Sequence, residues 1–111
     1  MNIKYTKSYD NSIKKIKRHK YEYDNLEKII KIIRDTRDFK ELCSLPIVKK
    51  YHFERLKYDL NEFYSFNLCK SGGKIRLIIK PNDDNCVELF LVYISYNHYD
   101  DFNIKKVIYY E

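Results

Sequence analysis

With 111 residues, 44% hydrophobic and 34% charged, the chain has the length of one domain around one modest core, with a globular rather than a disordered composition. The longest apolar run, Leu89 to Ile94, is six residues against the roughly 18 needed to span a bilayer. The segment Met1-Asn2-Ile3-Lys4-Tyr5-Thr6-Lys7 lacks the apolar stretch of a signal peptide, so a cytoplasmic protein without a membrane partner is expected. The net charge is +6, and residues 1–40 carry all of it, with 12 Lys/Arg against 6 Asp/Glu, while residues 41–111 hold 10 of each.

In chain order, the sequence predicts a short strand over Ile3 to Thr6. A helix capped by Asp10 or Asn11 follows, turning Ile13 and Ile16 inward and its lysines outward. Its densest part, Lys14-Lys15-Ile16-Lys17-Arg18-His19-Lys20, is a basic stripe. Lys14, Lys17 and Arg18 are therefore candidates to grip an anionic partner such as RNA. The alternative is a solvated helix face, since the chain lacks Ala, Gln and Trp and is rich in residues of AT-rich codons. Asp24 with Glu27 resembles a capping box, and Leu26, Ile29, Ile30 and Ile33 follow at helical spacing. Phe39 to Leu45 reads as a helical turn ended by Pro46. Residues 47–62 read as a surface segment with helical character around Phe53 to Leu60.

From Phe63 the period changes to two. Phe63 to Cys69, Lys74 to Lys80 and Val87 to Ser95 are expected strands, joined by a Ser71-Gly72-Gly73 turn and a Pro81 to Asn85 loop, with a last short strand over Val107 to Tyr110. Cys43, Cys69 and Cys86 are far apart and form no CxxC pair, so neither a metal site nor a disulfide framework is indicated, and nothing implies a cofactor. The expected architecture is α+β: an N-terminal strand and two helices packed on a small antiparallel sheet. Arg76 lies inside one strand of a hairpin and His98 just past the end of its partner, so the two can meet at one sheet edge. A guanidinium that holds a phosphate and an imidazole that moves a proton suit work on a phosphodiester.

These pieces resemble the RelE/ParE toxin superfamily of bacterial toxin–antitoxin systems, most nearly its YafQ-like branch. The resemblance runs through Tyr5-Thr6-Lys7-Ser8-Tyr9, the basic helix and Asp24 to Ile33. It continues with Tyr51-His52, the strand Ile75-Arg76-Leu77-Ile78-Ile79-Lys80, and His98 with Phe102 four residues later. That branch opens its central strand with an aspartate and a tryptophan where this chain has Lys74 and Ile75, and has a second histidine where this chain has Lys70. The resemblance implies one RelE-like domain over 1–111, the toxin of a type II pair. Such a toxin is a metal-independent endoribonuclease that cuts messenger RNA at the ribosomal A site, with ribosomal RNA and a cognate antitoxin as partners. His98, Arg76, His52 and Lys70 would be catalytic, and Lys74, Phe102, Tyr96 and Tyr99 would contact RNA.

Each residue has a plainer alternative. His98 and His52 can be surface histidines, Arg76 can pair with Glu88 across the hairpin, and Lys70 can be solvated. Phe102 can be a core anchor, and Tyr96 and Tyr99 are two of twelve tyrosines. Two rival functions share these features: a ParE-like toxin that binds gyrase and cleaves nothing, and a non-catalytic binding domain.

Overall fold

The computed structural model describes residues 1–70, 72–82 and 85–110, Asn85 by its backbone alone. Four α-helices pack on a five-stranded mixed sheet in the order β1-β5-β4-β3-β2, an α+β architecture. Strand β1 (Asn2–Tyr5) lies parallel to β5 (Asn85–Ser95), pairing Asn2 with Glu88 and Tyr5 with Leu91. The expected antiparallel meander is β3 (Tyr64–Asn67), β4 (Arg76–Asn82) and β5, and the two-residue β2 (Glu54–Arg55) adds to its far edge. Residues 47–62 hold the end of a short α-helix, an edge strand and a 3₁₀ turn at Tyr58–Leu60 in place of the helical character expected around Phe53 to Leu60, and the expected surface segment buries Val48, Tyr51 and Leu56. Of the two expected loops, Ser71, Asp83 and Asp84 lie outside the described residues. Pro81 and Asn82 extend β4, and residues 107–110 form no strand.

The first helix starts earlier than expected. Thr6 caps α1 (Lys7–Ser12) by accepting from the Tyr9 amide at 2.9 Å, and its own hydroxyl donates to the Val92 carbonyl at 2.7 Å, tying helix to sheet. The basic stripe continues as a 3₁₀ helix, Ile13–Arg18, with Ile16 buried and Lys14, Lys17 and Arg18 exposed. Helix α2 (Lys20–Asp35) begins four residues before Asp24, so Asp24 and Glu27 are helix-interior residues and no side chain caps its start. Asp38 caps α3 (Phe39–Ser44), and Pro46 opens α4 (Pro46–Lys49) at the first helical position, where its missing N–H costs nothing.

Alternation splits the sheet into two faces. Leu77, Ile79, Leu89, Leu91 and Ile94 meet Leu26, Ile29 and Ile33 of α2 in the main core. Ile78 and Val92 point the other way, into a smaller cluster with Leu56, Phe63 and Phe102. A bulge at Val92 shifts the phase of β5, because Ile79 pairs with Leu91 while Ile78 pairs with Tyr93. Past the bulge, Ile94 faces the helices and Ser95 stands opposite Arg76.

Candidate active site

The turn before β4 positions Arg76. Gly72 adopts φ +87°, and Gly73 lies so close to Cys69 that an added Cβ would stand 2.1 Å from the Cys69 Cβ, so both positions need glycine. The closed turn brings the Gly73 carbonyl to Arg76, whose Nη1 donates to it at 2.7 Å, to Asn67 Oδ1 at 3.0 Å and to the Ile75 carbonyl at 3.2 Å. Asn67 is itself buried and accepts from the Cys69 amide. One end of the guanidinium is thus fixed by three acceptors, while no hydrogen bond to Nη2 and no ion pair to Arg76 is found among the described residues. The alternative partner, Glu88, is taken by Lys4 at 3.7 Å and Asn82 at 2.8 Å. A held, unneutralised guanidinium is preorganised for an anion.

The sheet edge expected for this pair is instead the end of two interior strands, β4 and β5, and His98 is held there beside Arg76's strand. Its amide donates to the Lys74 carbonyl at 2.8 Å, and its backbone adopts φ +60°, a region rarely used outside glycine. The Ser95 hydroxyl shares its one proton between the His98 carbonyl and the Asp101 carboxylate, and Asp101 also accepts from the Tyr96 amide at 3.0 Å. These bonds close the turn around the strained residue. The exposed imidazole packs edge-on against Tyr99 with ring centroids 4.0 Å apart.

Tyr99 connects the two sides. Its hydroxyl donates to Glu54 Oε1 at 2.7 Å, and with that proton committed it accepts from Ser65 at 2.8 Å. Burial, then the hydrogen bond to Glu54, raises the Tyr99 phenol above its ordinary pKa, while Ser65 and the nearby Arg76 charge act the other way. An open groove of about 370 Å³ lies here, between the 54–60 segment and the His98–Tyr99 turn. Arg76, His98, Tyr99 and the neighbouring backbone of Lys74 therefore share one end of the face opposite α2.

The other predicted residues lie elsewhere. Lys70 sets its ammonium 5.2 Å from the Tyr21 ring of α2, away from the groove. His52 is exposed at φ +48°, and its amide donates to the Lys49 carbonyl; no ring contact or side-chain hydrogen bond joins it to His98 among the described residues. Tyr96 turns toward the basic 3₁₀ helix, donating to the Ser12 carbonyl at 2.7 Å and lying 6.1 Å from the His19 ring. Burial first, then the neighbouring Tyr93 and Asp101, push its phenol up to about 12. Phe102 is 9% exposed, packed on Phe63 at 5.3 Å and Tyr93 at 5.6 Å. Its ring anchors the smaller core and offers no face for stacking. Sequence reasoning missed Glu54, Ser65 and Asn67, which alternation along β3 and the edge strand could have indicated only once the pairing of β2 was known, and Tyr58, which lies in the 3₁₀ turn beyond β2 and lines the groove.

Among the described residues no three His, Cys, Asp or Glu side chains gather closely enough to share a metal ion, and no helix is long and apolar enough to cross a membrane. No protein-family model matches the chain, and no curated protein matches its sequence. The fold is similar to a solved structure of a copper-bound, single-substitution mutant toxin from Helicobacter pylori. That likeness has a TM-score of 0.65 at 18% identity, and covers 92% of this chain and 99% of that one. The chain therefore has the fold of a bacterial toxin.

Proposed function

We propose that this chain is the toxin of a type II toxin–antitoxin pair and acts as a metal-independent endoribonuclease on messenger RNA at the ribosome, in the cytoplasm. One observation carries the reading: a guanidinium fixed at one end and unneutralised lies on the same sheet end as an exposed histidine held in a strained turn. Strained non-glycine residues concentrate at functional sites. The fold shared with a bacterial toxin supports the toxin part of the reading.

In this reading His98 takes the proton from a ribose 2′-OH, and the 2′-oxygen attacks the adjacent phosphorus. The bond to the 5′-oxygen breaks, that oxygen takes a proton from water, and a 2′,3′-cyclic phosphate remains. Arg76 Nη2 and Nε bind the phosphate oxygens as charge builds on them. Lys74, exposed beside His98, contacts the RNA backbone. Lys14, Lys17 and Arg18 grip ribosomal RNA phosphates, so affinity falls with salt. An antitoxin neutralises the toxin by covering this surface.

The test is induced expression of the wild type and His98→Ala in a bacterial host, with growth followed and messenger RNA 5′ ends mapped. The expected result is growth arrest with new in-frame ends, and cleavage lowered about 10²–10⁴-fold in the variant. Arrest that survives the substitution with messages intact overturns the ribonuclease and favours a gyrase-directed toxin. No arrest by the wild type overturns the toxin reading itself.

A further inference from the structure

The groove beside His98 has a second wall that the chemistry above leaves unused. Tyr58 is 89% exposed, the most exposed of the large hydrophobic side chains among the described residues. It sits at φ +60°, like His98, with its carbonyl accepting from the Asn61 amide at 3.2 Å. A bulky residue in that backbone region is strained, yet here the strained turn leaves the ring in solvent instead of burying it. Leu60 supplies an apolar patch in the groove and Lys57 an exposed cation. Glu54 closes one side: its Oε1 is taken by Tyr99, and Oε2 has no partner among the described residues.

An exposed aromatic face beside a cation suits a stacked base of single-stranded nucleic acid. The volume, about 370 Å³, falls in the range of small-ligand sites. A carboxylate only accepts hydrogen bonds. It therefore favours a base edge that donates through an amino group, as guanine, cytosine and adenine do. Uracil meets it with one N–H between two carbonyl oxygens, which the carboxylate repels. The same repulsion keeps phosphate away from Glu54 and leaves it to Lys57 and Arg76.

We infer that this groove is a nucleobase subsite, in which one base of single-stranded RNA stacks on Tyr58 and is selected by Glu54 against uracil. The inference rests on the ribonuclease reading for its ligand being RNA, and it names how that site chooses where to cut.

The experiment measures binding of fluorescent five-nucleotide 2′-O-methyl RNAs, identical except for a central G, C, A or U. The 2′-O-methyl group blocks cleavage, so binding is read separately from catalysis, which unmodified RNA reports in parallel. Tyr58→Ala, which removes an exposed side chain, is expected to weaken all four RNAs on the order of tenfold, with Tyr58→Phe restoring affinity. Glu54→Gln, which keeps the Tyr99 bond but adds a donor, is expected to reduce a roughly tenfold preference for G over U to near unity. Wild-type affinity in Tyr58→Ala, or an unchanged base preference in Glu54→Gln, overturns the subsite even if unmodified RNA is cleaved. Base-selective binding that these variants abolish supports the subsite whether or not the free unmodified RNA is cleaved, and the ribonuclease reading fails separately, if the wild type arrests growth with messages intact.

Discussion

The two faces of this sheet are built from the same strands and serve different ends. The helix face is mostly apolar: Leu77, Ile79, Leu89, Leu91 and Ile94 gather with Leu26, Ile29 and Ile33 of α2, and the buried Asn25 of that helix donates to the Leu68 carbonyl at 2.9 Å. The opposite face is apolar only in its middle, where Ile78, Val92, Phe63 and Phe102 meet. At one end it becomes polar, with Asn67, Arg76 and Ser95 in register across β3, β4 and β5, and Ser65 two residues along β3, opposite Ile78. The first face gains mainly from burial, about 25 cal/mol per Å² of apolar surface removed from water. The second holds polar groups that must all be bonded, and every buried side-chain N or O among the described residues has a partner. That requirement fixes the Arg76 guanidinium and the turn around His98.

Three substitutions can break or sharpen this division. Leu77→Ala removes a side chain with 0% exposure from the helix face, and should cost about 2–5 kcal/mol of stability. Denaturant unfolding would show it, and the folded fraction should cleave RNA at the wild-type rate; lost cleavage at unchanged stability would erase the distinction between faces. Arg76→Lys should act in the opposite sense. It keeps the charge but loses the fork that bonds three acceptors and offers its other end to phosphate. Cleavage should fall on the order of 10²-fold with little change in the unfolding midpoint, and a fully active lysine variant would show that a point charge suffices.

Tyr96→Phe has the smallest effect, about 1 kcal/mol for the lost bond to the Ser12 carbonyl. It also carries a pH signature. The folded phenol sits at about 12 against an ordinary 10.0, so its contribution is complete below the lower value and is lost as pH rises toward the higher one. Urea midpoints measured from pH 9 upward should therefore decline less steeply in the variant, and parallel declines would rule this role out.

Much of the helix face was readable from spacing. Leu26, Ile29 and Ile33 at helical intervals and the alternation through Leu77 and Ile79 each mark one side of an element, since a side chain's direction follows from the period alone. The placement of Arg76 and His98 at one end of the sheet followed from a hairpin whose strands are close in sequence. The start of α2 was not readable, because no side chain caps it and Asp24 with Glu27 imitates a start one turn inside. The phase of β5 was not readable either. Strict alternation from Leu89 and Leu91 would send Ser95 to the helices, and the bulge at Val92 sends it to Arg76 instead.

The sequence by itself determined the α+β class, the two later hairpin strands and the cation and imidazole at their shared end, because those depend on local period and short connections. Tertiary structure decided the rest. It laid β1 parallel to β5 across more than eighty residues, and brought Glu54 and Tyr58 to the side of the groove facing His98. It also turned Lys70 to Tyr21 and drew Phe102 under the sheet. Each of those outcomes depends on which distant apolar surfaces find one another, and no local pattern encodes that choice.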